Sequence, residues 1–551
     1  MRLTRNPRSR AVIVAASVIA ASALLLSGCS IKPSSGGDSK PSTNIMLGAD
    51  DGSPTYTRNF NPFSANARLG VWFIYEPLQI VNPLDGKETP ALASASKIVD
   101  SKTVTFTIRT GVKWSDGKDF SVQDVLYTFD LLKKNPALDV NGVWGHIASI
   151  TSSGDDVTFA LNGDDVPAEA IISKQLIVPE HVWSKIADPT KSTVDEPVGT
   201  GPYKLGKFGD NQYVLAKNDD YRDADKVAAE TITYTATNTQ EDIVKNGRDW
   251  AYAYMPDVEK TWVGADQQHN SYWFPPGGTI TLIPNMKKAP YDDVNFREGL
   301  SLALNRTKIA ESAVNGYTTG ASQTGLILPN EKASLDDTIP DQGNVKQDTS
   351  AALDAFAKAG YTKHGDKLTD ASGKQLTVSI TVPNDYTDWL QGLQAVQTQL
   401  GALGIDVQLD KPEEPAYRTA LANGDFGLAM SAMGGSGSLF QDYNLALSSS
   451  FAVPAGEAAS SNFGRYSDPD VDKALDQLKS STDPAAQKEA ADAIQQKMVT
   501  QLPVITLYYG GLWGLYNDAH FTGWPSAKDP YAPPSTWMST VLLYATHLKR
   551  S

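Results

Sequence analysis

Few residues of this chain have a type and spacing that could support covalent chemistry, and the clearest of them is a cysteine near the N-terminus. Cys29 is the only cysteine among 551 residues, and it directly follows Leu26-Ser27-Gly28. A single thiol excludes disulfides within the chain and structural zinc sites of the cysteine type. Cys29 is therefore interpreted as a site of modification and not as a core residue.

The other reactive residue types give little support for catalysis. The six histidines are scattered, and the sequence has no H-E-x-x-H, G-x-S-x-G or phosphate-binding loop motif. Gly435-Ser436-Gly437 lacks the strand, serine and helix context of a nucleophile elbow. Carboxylates are plentiful, so an extracellular glycosidase with a carboxylate pair stays open as an alternative from a different class. We predict no catalytic residue, no metal site and no cofactor.

Residues 1–28 have the layout of a secretory signal peptide. Four arginines precede an apolar, alanine-rich run at 11–26. This run is shorter than the roughly 20 residues of a spanning helix, which favours a signal over the alternative of a permanent transmembrane anchor. Leu26-Ser27-Gly28-Cys29 resembles the lipobox of bacterial lipoproteins, which implies cleavage before Cys29 and a diacylglyceryl group on its sulfur. Residues 29–43, rich in Ser, Gly, Pro and Lys, are then a flexible tether.

Composition limits the partners and the number of cores. The formal net charge of −15 becomes −19 when the four signal arginines are removed, which argues against binding to nucleic acid or to anionic lipid. The mature chain is too long for one hydrophobic core and predicts at least two lobes. Eleven Trp and 22 Tyr include enough aromatic surface to line a cleft for sugars or peptides.

Local patterns predict an α/β fold. Val104, Phe106 and Ile108 alternate with polar residues as in a half-buried strand, and a turn at 114–117 leads to a helix with a capping box. Further helices are predicted from apolar spacing at 296–304 and 393–403, with a strand at 405–409. Two more begin at carboxylate-proline pairs, Asp468-Pro469 and Asp483-Pro484.

An ordered set of short motifs runs along nearly the whole chain and resembles one family. The motifs are Phe60-Asn61-Pro62-Phe63, Ile74-Tyr75-Glu76-Pro77-Leu78, Pro90-Ala91-Leu92-Ala93, the stretch 106–129, Val178-Pro179-Glu180-His181-Val182-Trp183, Gly199-Thr200-Gly201-Pro202-Tyr203, Phe296-Arg297, Ala303-Leu304-Asn305-Arg306 and Leu403-Gly404-Ile405-Asp406-Val407. In this order they resemble bacterial extracellular solute-binding proteins of family 5, the dipeptide and oligopeptide receptors of ABC importers. We expect most of these residues to serve the fold, with Gly199 and Gly201 in a tight turn.

The resemblance implies a two-lobed periplasmic-binding-protein fold with a ligand cleft between the lobes. Lobe one would span 44–284, with an extra subdomain at about 84–195, and would be completed by 505–551. Lobe two would span 285–504, with crossings at the strands 279–283 and 504–508. The implied partners are an ABC permease and its ATPase, and the lipid anchor would hold the chain on the extracellular face of the cell membrane.

The resemblance leaves two ligand classes open. Oligopeptide is the first prediction, although peptide receptors of this family often pair the α-ammonium with an Asp in lobe two. Here the equivalent segment 429–440 has no carboxylate before Asp442, and a buried, unpaired ammonium is costly. Segments 385–389 and 273–278 resemble those of members that bind oligosaccharides, so an oligosaccharide of the β-glucan type is the alternative.

Eight residues are candidates for contact with the ligand because they carry aromatic, amide or carboxylate groups or lie in the divergent glycine-rich segment. Core packing is the alternative role for Trp389, local packing against Pro275-Pro276 for Trp273, and turn capping for Asn61. The candidates are Asn61, Trp273, Phe274, Gly278, Asp388, Trp389, Gly435 and Ser436.

Overall fold

The structure is a computed structural model that describes residues 42–48, 55–236, 240–454 and 456–551. The predicted signal peptide, Cys29 and most of the predicted tether lie outside these residues. Thr43, which was assigned to the tether, already accepts a backbone hydrogen bond of 2.7 Å from Glu230. Within the ranges given, no helix has both the length and the apolar character required to cross a membrane.

The described part of the chain contains 22 strands. In chain order they are β1 (Asn44–Gly48), β2 (Gln79–Val81), β3 (Glu88–Pro90), β4 (Ala93–Asp100), β5 (Thr103–Ile108), β6 (Ile147–Ser153), β7 (Asp156–Leu161), β8 (Tyr203–Gly209), β9 (Gln212–Lys217), β10 (Thr231–Thr235), β11 (Trp250–Tyr252), β12 (Asn270–Trp273), β13 (Pro276–Pro284), β14 (Thr362–His364), β15 (Lys367–Thr369), β16 (Thr377–Thr381), β17 (Asp406–Asp410), β18 (Leu428–Met433), β19 (Ile505–Gly511), β20 (Gly514–Asn517), β21 (Phe521–Thr522) and β22 (Lys549–Arg550).

Fourteen α-helices alternate with these strands in the same residues. They are α1 (Val71–Ile74), α2 (Val122–Lys134), α3 (Ala168–Ser173), α4 (Glu180–Trp183), α5 (Gln240–Lys245), α6 (Val294–Ala303), α7 (Arg306–Val314), α8 (Thr349–Lys358), α9 (Thr387–Ala402), α10 (Glu414–Asn423), α11 (Leu439–Leu447), α12 (Pro469–Ser480), α13 (Pro484–Gln501) and α14 (Val541–His547).

Lobe one, as we define it here, carries a seven-stranded and a four-stranded sheet. The larger sheet has the order β12-β20-β11-β1-β10-β9-β8, in which β1 runs parallel to both of its neighbours. The smaller sheet, β4-β5-β7-β6, lies within the range 84–195 predicted for the extra subdomain. Its buried residues Val104, Phe106 and Ile108 confirm the predicted alternation, and they share one apolar core with the larger sheet.

The helix that follows this strand begins where its capping residues predict. The Ser121 side chain accepts a hydrogen bond from the Gln123 N–H, and the Asp124 carboxylate accepts one from the Ser121 N–H. The turn before it is closed by a 2.8 Å hydrogen bond from Gly117 N–H to the Trp114 carbonyl, with Gly117 at φ +84°. Both local predictions are therefore confirmed.

Lobe two is built on a five-stranded sheet of order β17-β16-β18-β13-β19. Helices α6 and α9 bury the predicted apolar faces against it, and Asp468 and Asp483 cap α12 and α13 as expected. The strand predicted at 405–409 begins one residue later, at Asp406. The reason is that Ile405 N–H still donates to the Leu400 carbonyl, so Ile405 closes the helix end.

The described chain crosses between the two large sheets at two places. Strands β13 and β19 both belong to the lobe-two sheet, whereas β12 and β20 belong to the lobe-one sheet. The crossings between these sheets are therefore Phe274–Pro275 and Leu512–Trp513, which we call the hinge. Leu512 N–H donates to the Pro275 carbonyl at 2.8 Å, so the two crossings are tied together.

The glycines of the Gly199-Thr200-Gly201-Pro202 motif serve a close backbone approach. A Cβ at Gly199 would lie 1.9 Å from the Ile74 carbonyl oxygen, and one at Gly201 would lie 2.3 Å from that of Phe73. Neither glycine has a positive φ, so the turn geometry expected from the sequence is not what requires them. The motif instead lets this segment pack directly against α1.

Candidate functional site

The lobes meet in two places, one of which is a set of loops that bridges the cleft. Lys174 Nζ of lobe one donates to the Ser436 carbonyl of lobe two at 3.1 Å, and Val166 N–H donates to the Lys479 carbonyl at 2.8 Å. A cavity of about 470 Å³ lies beside these contacts and is lined by both lobes. Its lobe-one residues are Pro83, Leu84, Asp85, Gly86, Val166 and Pro167, and its lobe-two residues include Asn330, Glu331, Gly437, Ser438, Leu439 and Phe440.

The second meeting place is the hinge, which is surrounded by aromatic rings. The ring centroids of Trp513 and Tyr254 are 4.8 Å apart, and those of Trp513 and Phe274 are 5.0 Å apart. Tyr317 of lobe two packs against Phe274 at 5.3 Å. Phe274, one of the predicted ligand residues, is buried in this cluster. Its side chain therefore packs in the hinge.

Asp388 and Trp389 lie in the first turn of α9, where they are half-buried. The rings of Tyr386 and Trp389 are 5.0 Å apart at 73°, and Trp389 also contacts both apolar clusters of lobe two. Burial raises the pKa of the Asp388 carboxyl. Burial first, then Tyr317 and Asp388, raise the pKa of Tyr254 to about 12. Asp388 of lobe two is therefore close to Tyr254, which follows β11 of lobe one.

A group of residues around Asp388, which we call the aromatic cluster, combines rings with hydrogen-bonding groups. It consists of Tyr254, Tyr386, Asp388, Trp389 and Tyr508. Burial and the charge of Asp388 raise the pKa of Tyr508, which is fully buried in the lobe-two core. Tyr386, Asp388 and Trp389 are half-buried, so the part of the cluster that solvent reaches includes ring surface and a carboxyl acceptor.

Trp273 lies on the seven-stranded sheet beside the hinge. It is opposite Gly514 in β20, which is in turn opposite Tyr252 in β11. Trp273 is half-buried against the lobe-one core, and Trp537, one of the exposed large apolar residues, packs edge-on against Tyr252 at 4.3 Å. The position of Trp273 thus agrees with local packing and leaves part of its ring exposed.

The predicted residues Gly278, Gly435 and Ser436 come together at the end of β18. A Cβ at Gly435 would lie 2.2 Å from the Gly277 carbonyl, and Gly435 has φ +88°. Ser436 N–H donates to Asp442 Oδ1 at 3.2 Å, so this glycine-rich loop is folded over a buried carboxylate. Burial raises the pKa of Asp442.

Asn61 is placed apart from the other candidates. Its side-chain amide donates to the carbonyls of Pro189 and Ser192 at 3.2 and 2.9 Å, and its oxygen accepts from Phe63 N–H at 3.0 Å. With 2% of its surface exposed, Asn61 holds a loop of lobe one in place. We therefore leave it out of the ligand site proposed below.

Sequence reasoning missed Lys174, Tyr254, Tyr508 and Trp513. Lys174 gave no local signal, because its contact with Ser436 joins residues 262 positions apart. Tyr254 follows β11, and Trp513 lies between β19 and β20. These strands pair with distant parts of the chain, so the proximity of the two rings gave no local signal.

Two carboxyl groups of lobe one, those of Glu88 and Glu169, lie close together near Lys174. Burial first, then the hydrogen bond and charge of Glu169, raise the pKa of Glu88 to about 9. When the side-chain nitrogen of Gln79 faces these two carboxyls, it lies 3.1 Å from Glu169 Oε1 and 3.2 Å from Glu88 Oε2. The folded chain therefore keeps a proton on Glu88 up to about pH 9. The unfolded chain releases this proton once the pH exceeds the ordinary pKa of a glutamate.

A Glu88→Gln variant is expected to flatten the decrease of stability that Glu88 causes as pH rises from the ordinary pKa of Glu to about 9. The stabilising contribution of the proton is complete below the ordinary pKa of Glu and is lost as pH rises through about 9. At pH 9 the variant should exceed the wild type by about 1–2 kcal/mol in unfolding free energy, a value reduced for solvent screening. Denaturant titrations at pH 5 and pH 9 measure this, with the exposed Glu196→Gln as control. Parallel pH curves for Glu88→Gln and wild type would contradict it.

Known proteins match this chain over most of its length. A family model described as bacterial extracellular solute-binding proteins, family 5, middle, matches residues 87–454. The oligopeptide-binding protein OppA of Bacillus subtilis is 24% identical over 513 residues, covering 86% of this chain and 88% of that protein. The peptidoglycan-binding protein YepA of Agrobacterium fabrum is 24% identical over 476 residues, covering 74% of this chain and 75% of that protein.

Solved structures agree with the family model. A periplasmic oligopeptide-binding protein of an oligopeptide ABC transporter from Thermotoga maritima is 26% identical, with a TM-score of 0.82 over 92% of this chain and 99% of that one. Its mannohexaose-bound structure matches over the same shares with a TM-score of 0.72. These are two-lobed periplasmic binding proteins, which confirms the predicted fold class. The chain belongs to the family 5 bacterial extracellular solute-binding proteins and is a periplasmic or extracellular substrate-binding component of an ABC importer for peptides or related ligands, not an enzyme.

Proposed function

We propose that this receptor captures a neutral oligosaccharide in the cleft between its lobes and that a lipid on Cys29 holds it at the outer face of the membrane. The observation that carries the ligand class is the aromatic cluster, in which Asp388 lies beside Trp389 and close to Tyr254. Sugar rings need an aromatic face for their C–H surface and polar groups for their hydroxyls. The half-buried Trp389 ring and the half-buried Asp388 carboxyl offer both.

The relatives support this ligand class without deciding it. The Thermotoga maritima protein, 26% identical, was solved with mannohexaose although its title describes an oligopeptide-binding protein. This proposal reverses the order of the two ligand classes predicted from the sequence. The reversal rests on the contacts around Asp388, which the sequence alone did not provide.

Oligopeptide is the second candidate, and a specific observation favours it. Asp442 is a buried lobe-two carboxylate directly beneath the Gly434–Ser438 loop, and several relatives are named as peptide-binding proteins. A carboxylate at this place could pair with a peptide ammonium if no cation of the protein already did so.

A thermal-shift panel separates the two candidates. Residues 30–551 would be screened against neutral oligosaccharides of two to six sugars and against peptides of two to six residues, because a ligand that binds only the native state raises the melting temperature. The proposal predicts a shift with saccharides. A shift with free peptides alone would overturn it in favour of the second candidate.

A Cys29→Ser variant is expected to move the chain from the membrane fraction to the culture medium or periplasm. The thioether to the diacylglyceryl group requires the sulfur, and two acyl chains are what give stable anchoring. Cell fractionation followed by immunoblotting measures the distribution, and a Ser30→Ala variant is the matched control. Retention of Cys29→Ser in the membrane fraction would indicate that the apolar run 11–26 anchors the chain instead.

A further inference from the structure

We infer that Lys174 is a specificity-determining residue that supplies from within the protein the positive charge that Asp442 would otherwise take from a ligand. The inference rests on the proposed function in one respect, namely that ligand binds in the cleft that these two residues share. In this role, Lys174 excludes ligands with a free ammonium group from this end of the cleft.

The geometry places the Lys174 ammonium directly over the loop that covers Asp442. Lys174 caps the C-terminal end of α3 in lobe one, and its Nζ donates to the Ser436 carbonyl of lobe two at 3.1 Å. The N–H of the same serine donates to Asp442 Oδ1 at 3.2 Å. The ammonium and the carboxylate are thus joined through one residue, across the boundary between the lobes.

The acidic groups around Asp442 explain why a cation is favourable beside it. Asp442 has 9% of its surface exposed. Burial raises its pKa, whereas hydrogen bonds from Ser436 and Gly435, and then the charge of Lys174, lower it. Burial likewise lowers the pKa of Lys174, which Asp442 and then Glu88 counteract. Burial first, and then the charge of Asp442, raise the pKa of the neighbouring Glu331 carboxyl to about 7, so a second acidic group lies near Asp442.

The consequence for ligand choice follows from like-charge repulsion. A ligand ammonium that approached Asp442 would meet the Lys174 ammonium already in place, and this juxtaposition is unfavourable at a partly buried site. A neutral group meets no such repulsion. Lys174 therefore discriminates against amines, whereas a residue that only held the lobes together would affect every ligand alike.

The experiment compares Lys174→Met with the wild type for a free-amine peptide, its N-acetylated form and a neutral oligosaccharide, by calorimetric titration. We expect Lys174→Met to gain about tenfold or more in affinity for the free-amine peptide relative to the acetylated one. Adding Asp442→Asn should remove that gain. Lys191→Met is the matched control, because Lys191 is an exposed lysine of the same lobe with its own partner, Asp188.

Two results would overturn the inference. One is a uniform change for all three ligands, which would make Lys174 a contact that only stabilises closure. The other is no selective gain for the free-amine peptide, including no detectable binding of it by the variant. Lys174→Gln repeats the comparison if the Met variant unfolds at a lower temperature. Failure of the wild type to bind any saccharide would instead contradict the proposed function, and the free-to-acetylated ratio would still report on Lys174.

Discussion

Replacing Trp389 by alanine is expected to weaken oligosaccharide binding by about 30- to 100-fold. Truncation of a central aromatic anchor typically costs 2 kcal/mol or more, and 1.4 kcal/mol corresponds to a factor of ten in affinity. Trp389 has this position because it is half-buried beside Asp388 and in ring contact with Tyr386. Titration calorimetry with the saccharide that gives the largest thermal shift measures the loss.

The control must separate binding from packing, since Trp389 also contacts the lobe-two core. Trp144→Ala is suitable, because Trp144 is a half-buried indole of the extra subdomain that donates its Nε1–H to the Phe129 carbonyl at 2.7 Å. Both variants should lose stability to a similar extent, but only Trp389→Ala should lose affinity. A lower melting temperature for Trp389→Ala with an unchanged dissociation constant would assign this ring to the core.

Gly199→Ala is expected to cause a larger loss of folding stability than an ordinary surface substitution, by about 4 kcal/mol or more. Its Cβ would lie 1.9 Å from the Ile74 carbonyl oxygen, and the obstacle is backbone that cannot rotate away. Effects of this size are exceptional and arise from a few mechanisms, of which a steric clash in the core is one. Denaturant unfolding followed by circular dichroism measures the loss, and failure to fold would be the extreme form of the same result.

Gly163→Ala is the matched control for this prediction. A Cβ at Gly163 meets no atom within 4 Å, and its φ is not in the left-handed region. We expect its unfolding free energy to stay within about 0.5 kcal/mol of the wild type. If Gly199→Ala were equally neutral, the close packing of the motif on α1 would have to be rejected.

The features that sequence reasoning predicted well are those that local hydrogen bonds decide. The capping box of Ser121 and Asp124 and the strand alternation around Phe106 depend on neighbours only a few residues away. The ordered motifs gave the family because many positions agree at once. The crossings between the sheets could not be located from the sequence, because only the pairing of β13 with the distant strands β18 and β19 assigns it to the lobe-two sheet.

The candidate site was harder to predict from the sequence, because its contacts join segments that are far apart in the chain. Asp388 and Trp389 were identified from their types, but Tyr254 lies in a distant segment of the chain, so its proximity to Asp388 gave no local signal. Asn61 was misleading, since an asparagine between two phenylalanines gives the same sequence signal whether it caps a loop or faces a ligand. Lys174 is one lysine among many, and only its burial against Ser436 distinguishes it.

Calorimetric titration of residues 30–551 with a neutral hexasaccharide and with a free hexapeptide decides whether the cleft captures a neutral oligosaccharide. We expect one saccharide per chain, a dissociation constant in the micromolar range or tighter, and a negative heat-capacity change from burial of the aromatic cluster. Tight binding of the free peptide with no heat from any saccharide would overturn the oligosaccharide assignment.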